Sequence, residues 1–343
     1  MREFQIGIIG VGTVAATHVK AVAALPSVHI RAVCDIKGRN EISVPEGAAY
    51  YQDYQEMLGA EKLDAVHICL PHYLHMPVMK AVVEHGIPVL CEKPVGMNFR
   101  EVQEMASYSE KYGVPIAVCM QNRWNNTFQA LKTAISGGEH GRLIGLKAVA
   151  LWSRDAAYYQ RAPWRGDMRY AGGGCLINQA VHTLDQIIQI GGDIASVEGI
   201  VTNVLDYDID VEDSSVSNVV FRNGARALII ASNAHVVNST IEIEAVTEKS
   251  IFTIKDFKLY RAPASEPLDK TLVAEDELMP GSKSYYGAGH VHLIRDFYSY
   301  LSGNDVPFVT VEDAGRVIGL IDLIRKSSCE GRRVEWEELY GEC

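Results

Sequence analysis

Lys93 stands in Cys91-Glu92-Lys93-Pro94, just past the apolar run Ile87-Pro88-Val89-Leu90. In an open parallel sheet, ligands gather beyond the carboxyl ends of the strands, so a cation at this position projects into the binding crevice. A second group of reactive side chains follows Gly172-Gly173-Gly174, where the apolar spacing predicts a helix beginning near Cys175. Asn178 and His182 are four residues apart and Asp185 three further on, so a continuous helix sets all three on one face. Ile177, Val181, Leu184 and Ile188 fill its apolar side. Histidine exchanges a proton near neutral pH, and oxidation of an alcohol needs a proton acceptor as hydride departs. Spacing alone fits a solvated lysine and an ordinary polar helix face equally well.

The start of the chain gives these groups a setting. Phe4-Gln5-Ile6-Gly7-Ile8-Ile9 reads as a strand, Gly10-Val11-Gly12-Thr13-Val14-Ala15 as a glycine turn, and the following residues as a helix stopped at Pro26. Gly10 permits the tight turn, Gly12 admits a pyrophosphate to the backbone, and Ala15 lets helix pack closely on strand. A phosphate would rest on the helix N-terminus at Thr13 and Val14. The next strand, Val28 to Cys34, ends at Asp35, about twenty residues beyond the glycines, where a carboxylate binds the two hydroxyls of an adenosine ribose. That favours NAD over NADP, although Lys37 and Arg39 lie nearby.

A chain of 343 residues exceeds one ordinary core and implies two domains. Its formal net charge of -11, with no basic tract, argues against a nucleic-acid partner. Seven cysteines, several of them in apolar segments (Cys34, Cys69, Cys91, Cys119), read as reduced thiols of a cytoplasmic protein. No pair has zinc-ligand spacing, so no metal is expected. No secretion signal and no apolar run of membrane-spanning length are found, so no membrane partner is expected.

Strand and helix alternate through the first third: a strand at Ala65 to Leu70, helices at Leu74 to Glu84 and Phe99 to Tyr112, and a strand at Val114 to Met120. Such alternation implies a parallel sheet. Gly38, Pro45 and Gly47 leave little room for a full helix in Ile36 to Gly47, so an irregular connection is expected there. After about residue 125 the pattern changes to a helix at Thr127 to Ile135, a strand at Leu143 to Trp152, an aromatic loop, the histidine helix, and then mostly strands. Asn223-Gly224 between Ser217–Phe221 and Ala225–Ser232 predicts a hairpin, and Thr240 to Ala245 alternates with period two. Helices from His290 to Leu301 and after Thr310 close the chain.

Taken together, the glycine turn with His18, Pro71 with His75, Glu92-Lys93-Pro94, and the triple glycine before Asn178 and His182 resemble the glucose-fructose oxidoreductase, inositol dehydrogenase and rhizopine catabolism (Gfo/Idh/MocA) family. Similarity extends to Gly289-His290 and Asp296-Phe297. The resemblance implies an α/β fold. A Rossmann domain over residues 1–122 would precede an α+β domain over 123–343 with a large, mostly antiparallel open sheet, and the last helices would pack back on the first domain. It implies an NAD-dependent oxidoreductase acting on a sugar, sugar derivative or cyclic polyol, assembled as a homodimer or homotetramer. Lys93 would orient the reacting oxygen and stabilise its charge. His182 would be base in oxidation or acid in reduction, with Asn178 beside it where many members carry aspartate. Cofactor contacts would come from Gly10, Gly12, Thr13, Val14 and Asp35, then from Leu70, Pro71, His75, Glu92, Lys93 and Gln121, with Trp164 and Arg165 from the aromatic loop. Arg123, Tyr158, Tyr159, Asn178, His182 and His290 are the substrate-side candidates. His18 is expected to bond backbone beneath the cofactor, and His29, His67, His85 and His140 to be structural or surface residues. Two other classes share these residues: a glycosidase assisted by transient oxidation with internal cofactor recycling, and a non-catalytic sensor of NAD or sugar.

Overall fold

Six short aliphatic runs form the first sheet. In the computed structural model, which describes residues 2–277 and 288–340, they are β1 (Phe4–Ile9), β2 (Val28–Cys34), β3 (Ala49–Tyr51), β4 (Ala65–Ile68), β5 (Val89–Cys91) and β6 (Ile116–Val118). All pair parallel in the order β3-β2-β1-β4-β5-β6. The order reverses between β1 and β4, which opens a crevice at their carboxyl ends. The connecting helices are α1 (Ala15–Ala23), α2 (Tyr54–Ala60), α3 (His75–Glu84) and α4 (Phe99–Tyr112). Asn98 caps α4 through its side chain, and Gly113 ends it at φ 64°. The connection at 36–47 is irregular as expected, but edge strand β3 and helix α2, capped by Asp53, follow it. Three residues are too few for β3 to show a period in the sequence.

The second sheet has nine strands and begins after helix α5 (Asn126–Ser136) with β7 (Leu143–Leu151). Short helices α6 (Ala156–Gln160), α7 (Met168–Ala171) and α8 (Cys175–Asn178) lead to α9 (Val181–Gly191). Strands β8 (Ile194–Thr202), β9 (Ser214–Phe221), β10 (Arg226–Ser232), β11 (Glu242–Thr247), β12 (Ser250–Lys255), β13 (Lys258–Pro263) and β14 (Thr271–Glu275) come next. Helices α10 (Gly289–Leu301) and α11 (Val311–Glu330) then lead to β15 (Val334–Glu335). The order is β14-β13-β12-β11-β7-β10-β9-β8-β15, with β7 and β10 parallel and the other neighbours antiparallel. The hairpin at Asn223-Gly224 joins β9 to β10, with Gly224 at φ 85°.

Helices α5, α9 and α11 cover one face of this sheet. Across the other face the register sets Ile200 beside Val216, Val216 beside Ile230, and Ile230 beside Val149. Ile200 is 63% exposed and Val216 49%. Helix α10 packs on the first sheet, where Leu293, Ile294, Phe297 and Tyr298 join Phe4, Ile6 and Val22 in one apolar cluster. Among the described residues, no helix is long and apolar enough to cross a membrane.

Candidate active site

At the end of β1, Gly10 takes φ 90°, and a Cβ there would lie 2.4 Å from the Cys69 carbonyl oxygen. A Cβ at Gly12 would meet nothing within 4 Å, so the backbone from Gly12 through exposed Thr13 borders open space. Val14 provides no side-chain cap to α1, which leaves the first N–H groups of that helix for an anion. Asp35 accepts hydrogen bonds from Val11 N at 2.8 Å and Lys37 N at 2.9 Å, which fix its carboxylate at the rim of the turn. Ile36 beside it is 86% exposed, an apolar surface of the kind a flat base covers. The open turn, the uncapped helix and the oriented carboxylate fit a dinucleotide with free ribose hydroxyls.

Leu70 and Pro71 border the same crevice beyond β4. His75 opens α3, and its two ring nitrogens face the carbonyls of Leu70 at 2.8 Å and Pro94 at 2.7 Å. It therefore fastens the lysine loop to the β4 loop instead of presenting a donor to a cofactor. The Lys93-Pro94 peptide is cis. Lys93 donates from Nζ to the Asn178 carbonyl at 3.0 Å. Burial lowers its pKa and Arg165 adds to that effect, while Glu92 opposes it.

That lysine contact coincides with a departure from the expected helix. The segment after Gly174 is two helices: α8 ends at Asn178, and α9 starts at Val181. The Cys175 carbonyl accepts from both Gln179 N and Ala180 N, which widens the turn. The Asn178 carbonyl is thereby left to Lys93, and the three polar residues diverge. The Asn178 side chain donates to the Tyr158 hydroxyl at 3.1 Å, His182 Nε2 lies 3.1 Å from Gln121 Nε2, and Asp185 turns away to Arg123.

His182 is lowered to about 3 by burial, followed by the charge of Lys93, so its imidazole is neutral at working pH. His182 Nδ1 and Gln121 Oε1 are buried, and neither has a hydrogen-bond partner among the described residues. With the Gln121 amide donating to Nε2, Nδ1 carries the proton and can donate it. With the amide oxygen turned to Nε2, Nδ1 holds a lone pair and can accept one.

Arg123 does not reach this space as a substrate ligand. Its Nε and Nη2 bind Asp185 at 2.8 and 2.6 Å, and Nη1 binds Asp313 at the start of α11. The ion pair ties α9 to α11 and neutralises the carboxylate that was expected to flank His182. Nor does Tyr159, which is 5% exposed and pushed up to about 12 by burial; its ring meets Tyr158 edge-on at 5.0 Å and its hydroxyl accepts from Asn233 Nδ2 at 3.4 Å. Tyr158 remains at the site, its hydroxyl bonded by Asn178 and by Gln179 at 3.0 Å. Trp164 meets His72 edge-on at 4.8 Å, and the Arg165 guanidinium lies 4.5 Å from the Tyr158 ring centre.

Beneath Lys93 lies a buried polar chain that the sequence did not show. Glu92 Oε1 contacts His18 Nε2 at 2.9 Å and His290 Nε2 at 3.2 Å. His18 Nδ1 continues to His67 Nδ1 at 3.0 Å, and His67 Nε2 to the Tyr298 hydroxyl at 2.6 Å. His290 is therefore a partner of Glu92, and His67 joins β4 to α10. Burial would raise Glu92, but the hydrogen bonds from His18 and His290 hold it well below the usual carboxylate range. The donor atoms of His18, Glu92 and His290 lie within 4.8 Å of one another, and the two imidazoles already use the carboxylate as a shared partner.

The triple glycine is shaped by two further residues absent from the sequence reading. Arg325 of α11 donates to the Gly172 carbonyl at 2.7 Å and pairs with Glu212 at 3.1 Å. A Cβ at Gly173 would lie 1.5 Å from Arg325 Nη2, and one at Gly174 would lie 1.8 Å from the Glu212 carbonyl oxygen. Both partners are distant in sequence, so no local pattern announces them.

Residues 4–120 match the model of an oxidoreductase family with an NAD-binding Rossmann fold, and residues 128–253 match the GFO/IDH/MocA C-terminal domain. The chain is 24% identical to the myo-inositol 2-dehydrogenase of Thermotoga maritima, over 98% of this chain and all of that one. It is 25% identical to the D-glucoside 3-dehydrogenase of Escherichia coli, over 96% and 97% of the two. In structure it resembles the WlbA dehydrogenase of Bordetella pertussis, solved with NADH and UDP-GlcNAcA, at a TM-score of 0.81 and 24% identity over 97% and 99% of the chains. The glycine turn and the Glu-Lys-Pro loop sit in the first matched segment and the histidine helix in the second, and the chain belongs to the Gfo/Idh/MocA family of oxidoreductases.

Proposed function

We propose that this protein is an NAD-dependent dehydrogenase that oxidises a hydroxyl, or reduces the corresponding carbonyl, on a sugar, sugar derivative or cyclic polyol. The observation that carries it is the meeting of Lys93, on the sheet that holds the glycine turn, with the Asn178 carbonyl at the break before His182. Bound NAD supplies the hydride acceptor. Gly12 and Thr13 would face its pyrophosphate and Asp35 its ribose, while Leu70, Pro71, Trp164 and Arg165 border the rest. Lys93 holds the reacting oxygen and stabilises its negative charge, and neutral His182 takes the proton in oxidation or returns it in reduction. The family and the inositol and glucoside dehydrogenases among its relatives support this substrate class.

The domain division at residues 122 and 123, and assembly through the apolar sheet face, belong to the same proposal. NADH formation against hexoses, uronic acids, sugar nucleotides and inositols, with NAD and NADP in parallel, tests it. A substrate should appear with NAD, and Lys93→Met should lose at least about 10²-fold in kcat while NADH still binds. Full activity in Lys93→Met would overturn the mechanism. Glycoside cleavage without net NADH would replace the dehydrogenase by the recycling reaction.

A further inference from the structure

Arg154 takes no part in the reaction proposed for Lys93 and His182. It follows β7, and its Nη1 donates to the Ser153 carbonyl at 2.7 Å and to Asn238 Oδ1 at 3.0 Å. Its guanidinium carbon lies 5.1 Å from the ring centres of both Trp152 and Tyr158. The Tyr158 hydroxyl binds the Asn178 side chain, whose residue accepts Lys93 through its carbonyl, so Arg154 is joined to the reacting lysine through two residues. Among the described residues, Arg154 Nε is buried without a hydrogen-bond partner, and no acidic side chain lies within ion-pair distance of the guanidinium.

Charge balance makes this unusual. The chain carries 43 acidic against 32 basic side chains. Two other arginines close to the site are neutralised, Arg123 by Asp185 and Asp313, and Arg325 by Glu212. Arg165 too lacks a carboxylate partner among the described residues, but it stacks on Trp164 beside His72, on the lysine-loop side of the crevice. Arg154 is pinned to the second sheet's loop by one nitrogen. Nε is buried, which leaves Nη2, with no hydrogen bond among the described residues, to donate to an oxygen of an anion.

We propose that Arg154 anchors an anionic substituent, carboxylate or phosphate, of the substrate, so that the enzyme acts on acidic derivatives of a sugar or polyol in preference to neutral ones. This rests on the dehydrogenase reading of the same site. The test compares kcat/KM for glucuronate and galacturonate, for glucose and galactose, and for the two hexose 6-phosphates, in wild type, Arg154→Gln and Arg154→Lys. Wild type should prefer an acidic compound to its neutral parent. Arg154→Gln should cut that preference about 10- to 100-fold, mainly through KM, and Arg154→Lys should restore part of it. The affinity for NADH should stay within about twofold, which also reports folding. Whichever of the uronates and the phosphates responds identifies the anion.

An unchanged preference in Arg154→Gln, better turnover of neutral parents by wild type, or a parallel loss of NADH affinity would each overturn the inference. A second arm needs no turnover: binding of the same compounds to the NADH complex of Lys93→Met, followed by NADH fluorescence. Acidic compounds that bind there and are lost on adding Arg154→Gln uphold the anion site even if dehydrogenase activity is absent. Neutral sugars oxidised with no dependence on Arg154 uphold the dehydrogenase and sink the anion site. Absence of binding by every acidic compound overturns it as well.

Discussion

Glu92 and Lys93 are neighbours in the chain with opposite surroundings. Glu92 is buried against two imidazoles, whereas Lys93 leaves the same backbone turn toward the crevice. The carboxylate raises the lysine pKa and thereby offsets part of the lowering caused by burial. In the proposed reaction it is protonated Lys93 that stabilises charge on the reacting oxygen, so activity should fall on the alkaline side as that proton is lost. Glu92→Gln removes the opposing charge and lowers the lysine further. The alkaline limb of kcat/KM should therefore move to lower pH. A role limited to holding the loop predicts a lower plateau with the limb in place, and a full pH profile separates the two outcomes.

At the scale of elements, the histidine segment is set by its glycine turn more than by its own helical tendency. Gly172 and Gly173 sit at φ 68° and 138°, and Arg325 and Glu212 close over them from α11 and the strand region. Gly173→Ala meets both a disfavoured backbone and the held guanidinium. It should destabilise the protein by about 2 kcal/mol or more, measured by urea unfolding. Gly12→Ala has open space around the new methyl and should leave the unfolding midpoint nearly unchanged, yet weaken NADH binding at least about tenfold because the methyl would enter the proposed pyrophosphate site. Equal unfolding midpoints for the two variants would refute the argument.

For the whole molecule, the second sheet has one face covered by helices and one that carries Ile200, Val216, Ile230 and Val149 in register. Lys147 and Glu242 border that row as an ion pair at 2.8 Å. A two-fold contact through this face would bury the apolar row against its own copy. Light scattering should show a dimer or tetramer for wild type, and Val216→Asp should shift it to smaller species with an unchanged circular dichroism spectrum. Assembly unaffected by that charge would place the interface elsewhere.

Local pattern in the sequence determined the parallel sheet, the glycine turn with Asp35, the hairpin at Asn223-Gly224 and the last two long helices, α10 and α11. Each is a matter of residues within a few positions of one another, where period, turn chemistry and caps act. It also marked Lys93 and His182 as the groups able to do chemistry. Tertiary structure alone decided which side chains were still available to do it. Arg123, Tyr159, His75 and His290 looked like ligands by type, but Asp185 and Asp313, Tyr158 with Asn233, two backbone carbonyls and Glu92 respectively take them up. The helix break at Asn178 was likewise hidden, because the group that takes its carbonyl is a lysine 85 residues away. A buried polar group is defined by its partner, and partners far apart in the chain leave no local period to read.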